Sequence, residues 1–208
     1  MSFGKVLIAV CFLVLVSLAL EAIHRKFRID SKITRKVAHV ASGFVAVYFF
    51  YFLSFWEYAL LVAFFVVFFL IAYRFRFFHS IHLTERATYG EIFYPVGVLA
   101  VIFLSYDNKF VAISAIAVMT ISDTVAELVG TILAKKTKSY AGSVGFLLSA
   151  IVLVFGVGLV FKVDYSAINI IKMLSVCCAA TITEAFSYYG SDNLTVPVAV
   201  VLFLTWLF

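Results

Sequence analysis

Charged residues are scarce in this sequence. They make up 13% of its 208 residues, against roughly a quarter in typical soluble domains, whereas hydrophobic residues make up 65%. A soluble domain of this size has too small an interior to bury so many apolar side chains. The composition therefore excludes an ordinary soluble enzyme, a secreted disulfide scaffold and a disordered tail, and it indicates a polytopic membrane protein.

Cysteine is also rare. The three cysteines, Cys11, Cys177 and Cys178, lie inside apolar segments and form no Cys-x-x-Cys pair with a nearby histidine. This pattern predicts neither a zinc site nor a disulfide framework, so we interpret the cysteines as small core residues. Internal repeats, low-complexity segments and a soluble appendage are missing as well. We therefore expect residues 1–208 to form a single integral-membrane domain.

Long apolar segments predict the membrane spans. They lack the alternation of a barrel strand, which favours helices. We predict an all-α bundle of about eight transmembrane helices, within a range of about seven to nine, because each span needs about 20 apolar residues. The predicted spans are 6–20, 40–56, 58–73, 92–106, 110–133, 139–161, 167–189 and 193–208.

The distribution of Lys and Arg predicts the orientation of the bundle. Twelve of these residues lie in the odd-numbered loops between predicted spans, whereas the even-numbered loops hold only Lys109 and Lys162. The positive-inside rule then places the odd-numbered loops in the cytoplasm and both termini outside. Six bases follow the first span and only Lys5 precedes it, which is the reverse of a signal peptide. We therefore interpret residues 6–20 as a retained helix.

Two acids lie inside the fifth predicted span. Charges at mid-helix cost roughly 2.5–3.5 kcal/mol each on insertion scales, so they are functional candidates by default. Asp123 and Glu127, in ISDTVAELVG, are four residues apart and share one helix face. Two close carboxylates in a poorly hydrated site need a cation or a basic neighbour to stay ionised. We interpret the pair as a divalent metal site; the alternative is a packing pair neutralised by Arg or Lys from a neighbouring helix.

A basic turn lies at the start of the second span. Arg35, Lys36 and His39 occur in RKVAHVASG, and Gly43 one turn later allows another helix or a ligand to approach closely. The functional interpretation is a phosphate-binding turn with a catalytic histidine. The alternative is interfacial snorkelling of the bases beside a hydrogen-bonded core histidine.

Three further polar segments adjoin predicted spans. TYGEIFYP contains Tyr89 and Glu91, which either bind a headgroup or nucleotide or form a plain turn. KKTKSYAGSVG combines lysines with small residues at a helix N-terminus. The functional interpretation is a site for phosphate oxygens, and the alternative is a basic loop that only sets membrane topology. EAFSYYGSDNLTVP contains Glu184, Asp192 and Asn193. All of these segments fall at the predicted cytoplasmic side, so we expect one site there.

These motifs, in this order, resemble the dolichol kinase/phytol kinase family over about residues 35–200. Its members are CTP-dependent polyprenol and lipid-alcohol kinases related to membrane cytidylyltransferases. The resemblance implies CTP as phosphoryl donor and Mg²⁺, or another divalent cation, held by Asp123 and Glu127. It also implies that the acidic helix and the basic loop after it contact the nucleotide. The residues that carry over are Gly130, Lys135, Lys136, Lys138, Ser139, Gly142 and Ser143.

The resemblance and the residues together predict a kinase. We expect transfer of the γ-phosphoryl group of CTP, or of another nucleoside triphosphate, to the hydroxyl of an isoprenoid alcohol of the dolichol, phytol or geranylgeraniol type. The partners are thus this lipid alcohol, the nucleotide and the bilayer, with the site at its cytoplasmic face; no nucleic acid is expected, and an oligomer is possible. The alternatives are a CTP-dependent cytidylyltransferase that makes a CDP-activated lipid and an ion-coupled membrane transporter.

Individual roles follow from this hypothesis. Arg35 and Lys36 would clamp phosphates, and they should lie with His39 in the same site as Asp123, within about 12 Å, because one nucleotide–metal site cannot be larger. The candidates for accepting the substrate proton are His39, Glu184 and Asp192. Tyr89, Glu91 and Asn193 are further candidate nucleotide contacts.

Overall fold

The computed structural model describes residues 3–27, 31–75, 89–105, 108–134 and 138–207. All regular secondary structure in these ranges is helical, which confirms the predicted fold class. A π-helical turn, Val118–Ser122, joins the fifth helix to the sixth. The helices are α1 (Phe3–Phe27), α2 (Ser31–Phe50), α3 (Phe55–Phe75), α4 (Gly90–Leu104), α5 (Lys109–Ala117), α6 (Asp123–Ala134), α7 (Tyr140–Val160), α8 (Ala167–Phe186) and α9 (Asp192–Leu207).

Four helical segments in the described part of the chain are long and apolar enough to cross a membrane. They are Gly4–Ile23, Lys109–Ala134, Tyr140–Val160 and Ala167–Phe186. The second of these joins α5, the π-helical turn and α6, so the predicted span with two internal acids is a continuous helical segment. The count of about eight spans and the external N-terminus stay predictions.

The boundary between α2 and α3 differs from the predicted one. The sequence predicts a span over 40–56, but α2 begins at Ser31 and ends at Phe50. The Ser54 N–H and hydroxyl both donate to Glu57 Oε2, at 2.9 and 3.0 Å. This contact is part of a capping box, and it fixes the start of α3 at Phe55. The Ser-x-x-Glu signal before an apolar run is present in the sequence and could have placed this boundary.

Helix α5 lies at the centre of the bundle. Its residues Val111, Ala112, Ala115 and Ile116 are completely buried. It packs against α2, α4, α7 and α9, because its alanines and Ser114 let neighbouring backbones come close. The acidic pair on α6 therefore continues directly from the most buried helix of the molecule.

Helices α4 and α9 pack with their backbones in near contact. Gly97 on α4 has no side chain, and a Cβ atom built there would lie 2.1 Å from the carbonyl oxygen of Asn193. A larger residue at this position would force the two helices apart. The close approach brings the start of α9, which carries Asp192, towards α4.

Candidate active site

Lys36 on α2 lies between the two carboxylates of α6. Its Nζ atom is 2.7 Å from Asp123 Oδ2 and 2.7 Å from Glu127 Oε2. Arg35 lies nearby, with Nη2 3.8 Å from Glu127 Oε1. The Lys36 side chain is only 14% exposed, so these charges interact with little screening by water. The basic and acidic motifs, 87 residues apart at Lys36 and Asp123, thus form one ionic cluster.

His39 completes this cluster one helical turn after Arg35. Its Nε2 atom lies 3.9 Å from Asp123 Oδ2 and 3.4 Å from the carbonyl oxygen of Met119. The Tyr94 ring on α4 packs edge-on against the imidazole, with 4.8 Å between ring centroids. The expected proximity of the two motifs is therefore confirmed, whereas the roles of their residues stay predictions.

The π-helical turn lies directly before Asp123. Such turns interrupt the regular hydrogen-bond ladder of an α-helix and are frequent at functional sites. The hydroxyl of Thr120, in this turn, donates to the Ile116 carbonyl of α5 at 2.7 Å. Gly43 on α2 faces Thr120, and a Cβ atom there would lie 2.5 Å from Thr120 Cγ2. The missing side chain lets α2 approach the turn and brings its basic residues to the acidic pair.

A second ionic cluster forms around Lys138, at the start of α7. Lys138 Nζ lies 2.7 Å from Glu184 Oε1 and 3.8 Å from Asp192 Oδ2. It also donates a hydrogen bond to the backbone carbonyl of Glu184, in the last turn of α8, where a cation is favourable. Glu184 is only 5% exposed. Lys138, which the resemblance assigns to phosphate, is thus held by two of the three candidate proton acceptors.

Two acids begin helices outside the four segments long enough to span a membrane. Burial and the negative charge of Asp123 raise the pKa of Asp192 to about 6, although Lys138 and Lys36 oppose this shift. Burial likewise raises the pKa of Glu91 to about 7, against the opposing charge of Arg35. Asp192 also lies 3.8 Å from Lys138 Nζ, so the start of α9 belongs to the second cluster, and the charge of Arg35 acts on Glu91 at the start of α4.

The small residues after the basic loop build the first turn of α7. The Ser139 hydroxyl accepts a hydrogen bond from the Gly142 N–H at 3.1 Å, and the Ser143 N–H donates to the Ser139 carbonyl at 3.0 Å. A Cβ atom at Gly142 would lie 2.8 Å from the Ala126 carbonyl oxygen, so this glycine allows α7 to pack closely on α6. Gly130 is buried on α6. Two further predicted residues, Lys135 and Lys136, lie outside the described residues.

The third and seventh loops meet beside this site. The Tyr89 N–H donates to the Tyr189 carbonyl at 3.0 Å, and the Tyr89 side chain is 54% exposed. Asn193 donates from Nδ2 to the Gly190 carbonyl at 3.3 Å. Its Oδ1 atom is buried and has no hydrogen-bond partner among the described residues. Of these two predicted nucleotide contacts, Asn193 offers a buried hydrogen-bond acceptor, and Tyr89 has a side chain exposed on the protein surface.

Comparison with known proteins identifies the family. No protein-family model matches the chain, and no solved structure matches it. The chain is similar to the phytol kinase of Synechocystis sp., with 30% identity over 210 residues that cover 96% of this chain and 89% of the relative. The chain belongs to the phytol/polyprenol kinase family.

Sequence reasoning missed two residues of this family member's site. Tyr94 packs on His39, and Thr120 contacts the position of Gly43. Tyr94 lies inside the quoted segment TYGEIFYP, and Thr120 directly precedes ISDTVAELVG. Ser122, adjacent to Asp123, is completely buried, and its hydroxyl has no partner in the described part of the chain. The signal that could have identified them is a hydroxyl side chain inside an apolar segment, within one helical turn of a candidate acid, as Tyr94 is of Glu91 and Thr120 and Ser122 are of Asp123.

The acidic pair fits the Mg²⁺ that the phytol/polyprenol kinase family implies. Among the described residues, no group of three or more His, Cys, Asp or Glu side chains is placed to hold a metal ion. In phosphoryl-transfer sites, however, Mg²⁺ is commonly bound by one or two carboxylates together with substrate phosphates and water. Lys36 already places a positive charge between Asp123 and Glu127, and it uses one oxygen of each carboxylate. The two carboxylates therefore already bind one cation, and they suit a Mg²⁺ ion whose other ligands come from the nucleotide.

Proposed function

We propose that this family member is a membrane lipid-alcohol kinase that transfers the γ-phosphoryl group of a nucleoside triphosphate to the hydroxyl of an isoprenoid alcohol. By family resemblance, the nucleotide is CTP. The observation that carries the proposal is the meeting of Asp123 and Glu127 with the basic turn of α2 inside an apolar bundle. Phosphoryl transfer depends on charge neutralisation and in-line positioning more than on covalent help. Opposite charges in one poorly hydrated site can supply both.

The acidic and basic residues of the ionic cluster have different roles toward the triphosphate. Asp123 and Glu127 would hold Mg²⁺, and the bound ion would neutralise charge on the phosphate oxygens. Arg35 and Lys36 bind phosphate oxygens directly, and the planar guanidinium of Arg35 suits two oxygens at once. The basic groups come from α2 and the acidic groups from α6, so the two helices together supply both signs of charge at one place.

Asp192 is the proposed acceptor of the substrate proton. Its raised pKa makes it a stronger base than an ordinary carboxylate, and it lies within the electrostatic reach of Asp123. Glu184 is more deeply buried and is ion-paired with Lys138 at 2.7 Å, so it holds Lys138 in place. His39, beside Asp123, orients the acceptor hydroxyl or a phosphate oxygen. These assignments rank three candidates that the sequence leaves equal.

The lipid substrate remains in the bilayer while its hydroxyl reaches the site. The outer surfaces of α6 and α7 expose large apolar side chains, including Ile132, Leu133, Leu148 and Val152, which suit contact with lipid chains. The distribution of Lys and Arg supports a multi-pass protein with its site at the cytoplasmic face, where a water-soluble nucleotide arrives.

The decisive experiment follows the γ-phosphate. The purified protein is incubated with γ-labelled CTP and each lipid of a panel of dolichol, phytol, geranylgeraniol, diacylglycerol and phosphatidic acid, and the assay is repeated with the other three nucleoside triphosphates. Label on a lipid alcohol supports the kinase. Label released as pyrophosphate with a lipid phosphate as acceptor establishes the cytidylyltransferase instead. No transfer from any nucleotide, together with ion flux in liposomes, favours a transporter.

A further inference from the structure

The Lys36 ammonium occupies the space where the proposed function requires a divalent cation. It lies 2.7 Å from one oxygen of Asp123 and 2.7 Å from one oxygen of Glu127. Both carboxylates are mostly buried, with side chains 18% and 19% exposed. Two cations placed between the same pair of carboxylates would repel each other strongly in such a site. Lys36 and a metal ion therefore compete for the acidic pair.

We propose that Lys36 is a built-in counter-cation that the divalent cation must displace, and that it moves onto the phosphates of the nucleotide when it leaves. The inference rests on the proposed function and adds how metal and nucleotide binding depend on each other. Without nucleotide, Lys36 neutralises the acids and keeps metal affinity low. With nucleotide, the phosphates offer Lys36 new partners, so metal and nucleotide bind with positive coupling.

The neighbouring charges support the assignment to Lys36. Among the described residues, it is the cation within 3 Å of both carboxylates. Arg35 lies 3.8 Å from Glu127, and His39 lies 3.9 Å from Asp123, so each contacts one acid at longer range. A lysine is also suited to such a movement, because its charge is carried on a flexible four-carbon stem.

The test measures Mn²⁺ binding without nucleotide or lipid. Full-length protein in detergent is titrated with Mn²⁺, and the free ion is followed by electron paramagnetic resonance. Lys36→Met should bind Mn²⁺ at least about tenfold more tightly than the wild type, because the competing charge is gone. The control Lys109→Met removes an ammonium at the other end of the helical segment that carries Asp123, about 20 Å away along the helix, and should stay within about threefold of the wild type. Equal or weaker binding by Lys36→Met overturns the inference.

Loss of Lys36 also leaves the two carboxylates to repel each other without a counter-charge, so the stability of the folded protein is a second measurement. Lys36→Met, and the milder Lys36→Gln, should be less stable than the wild type in metal-free buffer, and Mn²⁺ should raise their unfolding temperature. The same Mn²⁺ concentration should leave the wild-type unfolding temperature unchanged. If both variants lose their folded state, recovery on addition of Mn²⁺ supports the proposal, whereas a loss that Mn²⁺ does not reverse contradicts it.

This experiment is independent of the kinase assay. Absence of γ-phosphoryl transfer to every lipid alcohol would remove the proposed function but would leave the Mn²⁺ result intact. Conversely, if the protein is an active kinase and Lys36→Met binds Mn²⁺ no better than the wild type, the proposed function stands and the counter-cation role of Lys36 is wrong.

Discussion

Lys36 on α2 and Asp123 on α6 form an ion pair with 2.7 Å between Nζ and Oδ2. The pair connects the second helix to the most buried part of the bundle, because α6 continues from α5 through the π-helical turn. A buried ion pair is weak evidence for stability, since desolvation of both charges offsets their attraction. Its position in an apolar bundle is better explained by function, which requires both signs of charge at one place.

Asp123→Asn should reduce phosphoryl transfer to below about a tenth of the wild-type rate, because a neutral amide is a weak Mg²⁺ ligand. The amide has nearly the shape of the carboxylate, so the protein should remain folded. Transfer is measured with γ-labelled nucleotide, and Asp164→Asn, in the exposed connection between α7 and α8, serves as the control. A variant that keeps more than a tenth of the rate would remove Asp123 from the metal ligands.

Glu127→Gln distinguishes a metal ligand from a positioning residue. Glu127 contacts both Lys36 and Arg35, so it can act on the metal or on the cations. If it is a ligand, the variant should lose as much activity as Asp123→Asn and should need more Mg²⁺ for half-maximal rate. A milder loss with an unchanged Mg²⁺ requirement and a raised nucleotide KM would instead show that Glu127 positions the two basic side chains.

The meeting of these two motifs could be predicted from the sequence, but its atomic form could not. The similar predicted depth of RKVAHVASG and SDTVAELVG, together with the family resemblance that includes both, predicts that Lys36 lies near Asp123. The bridge from Lys36 to both carboxylates depends on how α2 packs on Thr120; Gly43 indicates a close approach in the sequence, but no local pattern identifies Thr120 as the residue that it meets. The π-helical turn likewise has no sequence signal, because it arises where neighbouring helices must be accommodated. Lys138 shows the same limit, since its pairing with Glu184 involves a helix 46 residues later.

His39→Ala should lower kcat at least about tenfold, which corresponds to ~1.4 kcal/mol of activation free energy. The imidazole lies beside Asp123 and the Met119 carbonyl, where it can reach a phosphate or the acceptor hydroxyl. The unfolding temperature should change little. Tyr94→Phe, which keeps the ring that packs on His39, is the matched control and should retain most of the activity. A variant that is less stable but turns over normally when folded would make His39 a core residue.

The orientation of the bundle is tested by cysteine labelling in intact cells. The background is a variant without Cys11, Cys177 and Cys178. In it, Thr137→Cys should react with a membrane-impermeant thiol reagent only after the cell membrane is permeabilised. Asp164→Cys should react from outside, because the Lys and Arg count places the loop after α7 there. The opposite labelling pattern would reverse the topology and place the site away from cytosolic nucleotide.

Glu184→Gln and Asp192→Asn should have different effects, although both acids contact Lys138. Glu184 is the more buried and lies 2.7 Å from Lys138 Nζ, whereas Asp192 lies 3.8 Å away. We expect Glu184→Gln to cost roughly 1–3 kcal/mol of stability, because it weakens a hydrogen bond between charged groups. Asp192→Asn should leave the unfolding temperature nearly unchanged and lower kcat, because the proposed proton acceptor is lost.

The two measurements together assign the proton acceptor. The free energy of unfolding is obtained in detergent for both variants, and kcat is measured at saturating nucleotide and lipid. Lys138 remains one-third exposed, so its charge can be solvated when Glu184 is replaced, and the folded fraction of Glu184→Gln should still turn over. If Glu184→Gln instead abolishes kcat in folded protein while Asp192→Asn is active, Glu184 is the proton acceptor, and the raised pKa of Asp192 reflects only its burial beside Asp123.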